Sequence, residues 1–476
     1  MKPNVLLICV DHWPGPLMQA MGHERILTPT LNQLARSGVL FSQAYSATPT
    51  CIPARRTLMT GTTARTHGDR VFKERLEMDP RLPTLPQVFR EAGYQTYAVG
   101  KLHVFPQRAR IGFDEVILNE EGRHHLGGGR DDFERFLDRE GYAGRELTHA
   151  MGNNEYCARP WHLPEYCHPT NWTTREMCYA IQRRDPTCPA FWYCSYAAPH
   201  QPVTPPRDYW EMYRQSGVDE PFIGEWAKDP ATWPYALKRH QDKFSEMSSA
   251  EKQLARQGFY AQCTYIDHQM RLLIGTLREA GWLDNTIVMF VCDHGDMLGN
   301  HNLWCKPPMF EWSAKIPMVL MPTAAYERVG HHQRDDRLAE LRDVMPTLLD
   351  LCGLPIPRTV EGHSLVSDYR RAHLYGEHYE DDLAMRMIRS DQYKLIWYPV
   401  GNRFQLFDLA RDPRELRDLA DDPTLVDVRK RLTTLLAEHL YGSDLKWVRQ
   451  GELVGEPEKT FVPSPNRGLL SQRGWR

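Results

Sequence analysis

The chain is predicted to be an α/β protein with a large, mostly parallel sheet sandwiched by helices and a smaller C-terminal α+β domain. Three features of the sequence say so. Apolar runs of strand length alternate with helix-period segments through the first hundred residues, the pattern of βαβ units. Two unbroken apolar runs, residues 5–10 and 286–292, each stop on an Asp-His pair, and open α/β sheets carry their sites just past the carboxyl ends of strands. Beyond Pro357 the pattern changes to short strands, a helix and a Gly/Pro-rich tail. The expected division is therefore residues 1–365 for the main domain and 366–476 for a C-terminal antiparallel sheet, helix and tail.

The elements follow in order. Residues 5–10 form a buried strand. Residues 30–37 form a helix with Leu31 and Leu34 inward and Gly38 as its stop. Residues 55–60 open a helix directly after Cys51-Ile52-Pro53, and residues 85–92 form a helix ended by Gly93 before a strand at 96–99. Between residues 119 and 185 the pattern dissolves into Gly, His, Trp, Pro and Cys, the composition of an ordered lid or specificity wall. A strand at 191–195 comes next, then a long helical stretch at 249–278 interrupted near Thr264. Strands near 373–377, 385–390 and 394–398 and a helix from 425 to 439 complete the C-terminal part.

Composition excludes some classes of function. At 476 residues, with 41% apolar and 11% aromatic content, the chain can bury more than one core. Fifty-eight Lys and Arg against 61 Asp and Glu give a net charge of -3, which is neither a nucleic-acid nor a membrane footprint, so an anion site must be a local cluster. The 11 cysteines are odd in number and hold no Cys-x-x-Cys pair, as expected of reduced thiols in the cytoplasm. The run at 5–10 is too short to span a bilayer, and a cleaved leader there would remove Asp11, so a cytoplasmic location is expected. The glycosylation sequon Asn171-Trp172-Thr173 reads as an ordinary loop.

Several segments carry chemistry. Asp11-His12 and Asp293-His294 each lie just past a buried strand, where a carboxylate is costly unless it meets a cation. Asp11 alone reads as a helix cap; the two pairs together invite a shared metal. Cys51-Ile52-Pro53-Ala54-Arg55 places a thiol at a helix start, where backbone N–H groups and the positive end of the dipole face an anion. In Gly93-Tyr94-Gln95-Thr96-Tyr97-Ala98-Val99-Gly100-Lys101-Leu102-His103, Lys101 and His103 are alternate residues of an extended segment and face one anion together. His200 follows a strand within Ala198-Pro199-His200-Gln201-Pro202, and Lys306 closes the run that starts at Asp293. His301 in that run reads equally as a site residue and as a solvated loop residue.

These segments, in this order, resemble the signatures of the type I, formylglycine-dependent sulfatases of the alkaline phosphatase superfamily: Cys-x-Pro-x-Arg-x-x-x-x-Thr-Gly at Cys51 to Gly61, Gly-Tyr-x-Thr-x-x-x-Gly-Lys-x-His at Gly93 to His103, His-x-Pro at His200, and the closing hairpin from Tyr393 to Glu415. The resemblance implies an alkaline phosphatase-like fold and a sulfuric ester hydrolase. Cys51 would be oxidised to formylglycine by a maturation enzyme, and its hydrated aldehyde would attack sulfur. Asp11, His12, Cys51, Asp293 and His294 would hold one divalent cation, calcium first and manganese as the alternative, because His12 stands where the family usually has aspartate. Arg55 would fix the hydrate and the carboxylates, Lys101, His103 and Lys306 would meet the sulfate oxygens, and His200 or Lys306 would protonate the leaving alcohol.

The expected substrate is a small sulfated carbohydrate, with aryl or alkyl sulfates next. A phosphonate monoester or phosphodiester hydrolase is the nearest alternative. A two-zinc phosphatase with a coded nucleophile and a binding protein with a degenerate site are further ones. Arg123, His124, His125, Trp161, His162, His168 and Trp172 suit sugar stacking and anionic groups, or simply an ordered aromatic loop. No nucleic-acid or membrane partner is expected, and a homo-oligomer is left open.

Overall fold

The computed structural model describes residues 2–124, 127–147, 151–306, 308–323 and 332–467. Among the described residues eight strands form the main sheet: β1 (Asn4–Val10), β2 (Val39–Tyr45), β3 (Gln95–Gly100), β4 (Glu115–Leu118), β5 (Ala190–Ser195), β6 (Thr286–Cys292), β7 (Met318–Met321) and β8 (Gln333–Glu340). Their order is β4-β3-β5-β1-β6-β7-β2-β8, and β7 alone runs against the others. The central strands β1, β5 and β6 are buried along their whole length, which is why they read as continuous apolar runs rather than alternating ones.

Because β3, β5, β1 and β6 are parallel neighbours, their carboxyl ends emerge side by side. Backbone bonds hold the exits in register: Lys101 N donates to Ser195 O at 2.9 Å, Tyr196 N to Cys9 O at 2.9 Å and Asp293 N to Val10 O at 3.2 Å. Gly100 makes the first of these contacts affordable. Its φ is +103°, and a Cβ there would lie 1.9 Å from Ser195 O. Gly100→Ala is therefore expected to lower stability by about 3 kcal/mol or more and to pull Lys101 out of place. Denaturant unfolding checks this, and an unchanged midpoint would show that the β3–β5 junction tolerates a side chain.

A second sheet, β9 (His373–His378), β10 (Met385–Ser390), β11 (Tyr393–Tyr398) and β12 (Arg403–Asp408), is antiparallel in the order β12-β11-β10-β9. Alternation divides β11 between two cores. Leu395 and Trp397 pack with Leu432 and Leu436 of the helix Val426–His439, whereas Ile396 and Tyr398 join the main core. Lys394, on the same strand, is fully buried and ion-paired to Glu311 at 2.8 Å and Glu415 at 2.6 Å. Through Glu311 the closing hairpin is tied to the short helix Glu311–Ala314, which lies between β6 and β7 in the chain.

Four expectations need correction. The helix expected at 55–60 begins at Cys51 itself. Pro53 lies within its first turn, where no N–H has an intrahelical partner to lose. Ser249–Glu279 is one continuous helix of 31 residues with no break at Thr264. The polar residues there serve the neighbouring segment: Thr264 Oγ1 donates to Leu27 O at 2.9 Å, and Asp267 accepts the N–H groups of Thr30 and Leu31 at the start of the helix Pro29–Ser37. The segment 119–185 is not pattern-free. It carries the helices Asp132–Arg139 and Pro169–Gln182, and the sequon lies inside the second with Trp172 buried. The strands β2, β4, β7 and β8 are not among those expected from the sequence. Among the described residues no helix is long and apolar enough to cross a membrane.

Candidate active site

Cys51 is the first residue of the helix Cys51–Thr60, with Thr50 in extended conformation before it and Gly61, at φ +65°, ending it. The helix is buried throughout. Cys51 Sγ lies 3.2 Å from His294 Nε2 and 3.6 Å from Asp11 Oδ1. Burial first, and then the Asp11 carboxylate, push its thiol up to about 11. In this state residue 51 is an unreactive thiol at neutral pH.

One potential ligand atom each of Asp11, His12, Cys51 and His294 lies within 4.8 Å of all the others. Both imidazoles are oriented by their second nitrogen: His294 Nδ1 donates to Gly295 O at 3.0 Å and His12 Nδ1 to Asp296 Oδ2 at 2.8 Å. That leaves each Nε2 lone pair facing the cluster. Burial, and for His12 the adjacent Lys306 charge, hold both imidazoles below their usual range and so neutral, the form a metal needs. The donor set fits a divalent cation. Asp293 stands just outside it, with Oδ1 3.7 Å from His294 Nε2 and Oδ2 accepting from Arg55 Nε at 2.9 Å.

Asp296 fixes the orientation of the His12 ring, with its Nε2 toward the cluster. It also accepts from Tyr156 OH and Gln201 Nε2, and through Oδ1 from the backbone of Leu298 and Cys305. Asp296→Asn is expected to weaken divalent-cation binding by about 10- to 100-fold. Titrating the stripped protein with manganese and calcium while following the thermal midpoint reads this directly, and an unaltered titration would remove His12 from the ligand set.

Arg55 spans the cluster from below. Besides Asp293 it reaches Lys101 O and Ser195 Oγ at 2.8 Å each, and its Nη2 lies 3.8 Å from Asp11 Oδ2. Lys101 Nζ is ion-paired to Asp11 Oδ2 and to Glu121 Oε2, the latter at 2.7 Å. Burial works against the Asp11 carboxylate, but the Lys101 ammonium and the Arg55 guanidinium outweigh it and hold Asp11 well below the usual carboxylate range. His103 is buried at φ +58° with its backbone N–H on Glu120 Oε1, and neither ring nitrogen has a hydrogen-bond partner among the described residues. Both nitrogens of this buried imidazole are therefore open to a ligand beside Lys101.

Lys306 Nζ contacts His12 Nε2 and lies 3.2 Å from His200 Nε2. His200 Nδ1 donates to Gln201 O at 2.8 Å, so its Nε2 is an acceptor. Burial holds His200 well below the usual histidine range, whereas Lys306, despite its own burial, is held above the lysine range by Cys51, Cys305 and Asp11. The proton in this pair resides on Lys306.

All the residues expected at the site, Asp11, His12, Cys51, Arg55, Lys101, His103, His200, Asp293, His294 and Lys306, thus come together. His301 does not join them: it is buried, its Nδ1 accepts Gly224 N–H, and it packs on Phe222 and Trp226. Of the aromatic stretch, Trp172 is buried against Phe133 and Phe136, and His168 caps the helix Pro169–Gln182. Trp161 packs on His162 and His168, His124 pairs with Glu134 at 2.6 Å, and His125 lies outside the described residues. Arg123 is at the site, bound to Glu121. Glu120, Glu121, Tyr156 and Asp296 were not singled out from the sequence. Asp296 sits in the same short run as His294 and was within reach of a spacing argument; Glu121 comes from a stretch without periodicity and had no signal.

A mostly parallel sheet whose strand ends gather a thiol, four imidazoles, two carboxylates, two lysines and an arginine has the parts of a hydrolase of anionic esters on the alkaline phosphatase fold. The chain belongs to the sulfatase family, whose profile covers residues 3–354, and to that family's reaction class, the hydrolysis of sulfuric esters. A second profile, N-sulphoglucosamine sulphohydrolase C-terminal, covers residues 299–441. The arylsulfatase of Clostridium perfringens is 32% identical over 97% of this chain and 99% of its own length. A solved structure described as a complex with its substrate D-glucosamine-2-N,6-O-disulfate superposes with a TM-score of 0.73 at 20% identity, covering 92% of this chain and 97% of that one. The phosphonate monoester hydrolase of Agrobacterium radiobacter superposes with a TM-score of 0.75 at 22% identity, covering 96% of this chain and all of the other.

Proposed function

We propose that this protein hydrolyses a sulfate monoester on a small carbohydrate, with Cys51 in its formylglycine form and one divalent cation bound by Asp11, His12, Asp293, His294 and residue 51. The observation that carries the reading is the placement of Cys51: first in its helix, within 3.6 Å of His294 and Asp11, and close enough to Lys101 and Lys306 for both to act on its charge. The oxidised residue supplies a hydrated aldehyde with one hydroxyl to attack sulfur and a second to expel sulfate, and the cation supplies positive charge. Calcium is the family expectation; two oriented imidazole nitrogens weight the donor set toward manganese.

The rest is done by the chain. Lys101, His103 and Lys306 hold the sulfate oxygens in a dry site where fixed charges act strongly. Arg55 keeps Asp293 and the Lys101 backbone in place. Lys306 gives its proton to the leaving alcohol, and His200, an acceptor in its observed tautomer, aims it. The leaving group faces a small cavity lined by Glu121, Asn153, Trp161, Phe133 and His200, whose aromatic walls suit a sugar ring. The domain division at residue 365 is part of the same reading.

The test uses protein in which conversion of Cys51 is confirmed by peptide mass. Sulfate release is compared across sulfated mono- and disaccharides, aryl and alkyl sulfates, and matched phosphonate and phosphodiester substrates. A sulfated sugar is expected to be the best substrate. Preference for aryl sulfates would overturn the carbohydrate assignment, and turnover of phosphorus esters alone would overturn sulfate hydrolysis.

A further inference from the structure

Glu121 stands inside the site without belonging to any of the motifs that identify it. It adopts φ +57°, a backbone conformation rare outside glycine, and is followed by Gly122 at φ +66°. An observed outlier of this kind at a binding site calls for a functional account. Its Oε2 accepts from Lys101 Nζ at 2.7 Å and from Arg123 Nε and Nη2 at 3.2 and 3.1 Å, and its Oε1 lies 3.5 Å from His200 Nδ1. Two cations at contact distance keep Glu121 a carboxylate. Arg123 in turn is close enough to act on Cys51, so the trio Lys101–Glu121–Arg123 borders the place where an ester anion must sit. One ligand atom each of Asp11, Glu121 and His200 also lies within 4.8 Å of the others, but the ammonium of Lys101 already bonds both carboxylates there.

The consequence is a matter of counting charge. Within the trio Lys101 and Arg123 bring two positive charges and Glu121 takes one back, which leaves the trio at +1; Asp11, also paired with Lys101, and Lys306 are common background that a change at Glu121 does not alter. A sulfate monoester carries one negative charge, and so do a phosphodiester and a phosphonate monoester. A phosphate monoester above its second ionisation, near pH 6, carries almost two. The extra charge meets a buried carboxylate a few ångströms away with little water to screen it, where like charges repel far more strongly than in solution.

We propose that Glu121 is a specificity-determining residue that matches the site to singly charged esters and excludes phosphate dianions. The inference rests on the sulfate-ester reading above and deepens it, since it names the charge class the site accepts. Glu121 acts by its charge, on the anion directly and by offsetting Lys101 and Arg123, so its signature is a ratio of substrates rather than a loss of rate.

The experiment measures kcat/KM at pH 8 for 4-nitrophenyl sulfate, 4-nitrophenyl phosphate and methyl 4-nitrophenyl phosphate with the matured enzyme, its Glu121→Gln variant and its Glu121→Asp variant. In Glu121→Gln the phosphate-to-sulfate ratio should rise by about tenfold or more. Glu121→Asp keeps the charge and should keep the ratio within about threefold of the original, a bound set well below the tenfold effect. The unmodified enzyme should turn over the singly charged methyl phosphodiester faster than the dianion, a comparison that needs no variant to fold. A ratio that stays flat in Glu121→Gln while both rates fall together would overturn the proposal and leave sulfate hydrolysis standing. An unmodified enzyme that prefers the phosphate dianion to both singly charged esters would overturn the two together.

Discussion

Replacing Cys51 by serine is expected to lower steady-state sulfate release by about 10⁴-fold or more while leaving the thermal midpoint almost unmoved. The fold should survive because Cys51 contributes no packing to the main hydrophobic core: its helix is held by Ala54, Leu58 and Met59, and its Sγ faces the polar groups His294 and Asp11. A hydroxyl is smaller than a thiol and can bond to the same two partners. Turnover should fail for a chemical reason. Serine offers one hydroxyl, so a sulfate ester formed on it has no second hydroxyl from which to collapse, and the enzyme stops after one event.

Unoxidised cysteine should be no better, since burial and Asp11 push its thiol up to about 11 and leave almost no thiolate at neutral pH. The readout is sulfate release over many turnovers together with peptide mass, which should show trapped sulfate at position 51. Sustained turnover by Cys51→Ser would sink the formylglycine mechanism, because that mechanism has no use for a single hydroxyl.

The parts of the site that could be read from sequence are those fixed by short-range rules. A buried parallel strand must be apolar along its length and must stop at the sheet edge, so 5–10 and 286–292 announced both their own position and that of Asp11 and Asp293. Gly100 stands in the run from Gly93 to His103 just before Lys101, and the structure supplies its reason: a Cβ there would lie 1.9 Å from Ser195 O. What could not be read depends on contacts far apart in the chain. Glu121 has meaning only because β3 and β4 lie side by side and turn their ends toward β1 and β5. The long helix looked interrupted near Thr264 because the partners of Thr264 and Asp267, Leu27 and the first turn of the helix Pro29–Ser37, are more than two hundred residues away. The strand β8 escaped notice for another reason: it opens with Gln-Arg-Asp-Asp-Arg, a charged run that is exposed or half-buried at the sheet edge.

The same long-range wiring makes Arg55 the residue whose loss should cost the most stability. Its guanidinium is buried and meets Asp293, Ser195, Tyr193 and the Lys101 carbonyl, which come from β6, β5 and the end of β3. Removing one partner of a buried ion pair leaves the other charge without solvent or counter-ion. Arg55→Ala should therefore lower the unfolding free energy of the metal-stripped protein by about 4 kcal/mol. Arg55→Lys should recover only part of this, since one ammonium cannot reproduce a planar fork that bonds a carboxylate on one side and a carbonyl and a hydroxyl on the other.

Adding the divalent cation gives a further distinction. If Asp293 is a ligand, the cation takes over the neutralisation that Arg55 provided, and saturating metal should restore more stability to Arg55→Ala than it adds to the unmodified protein. If metal stabilises both proteins equally, Asp293 answers to Arg55 alone, and the ligand set ends at Asp11, His12, His294 and residue 51.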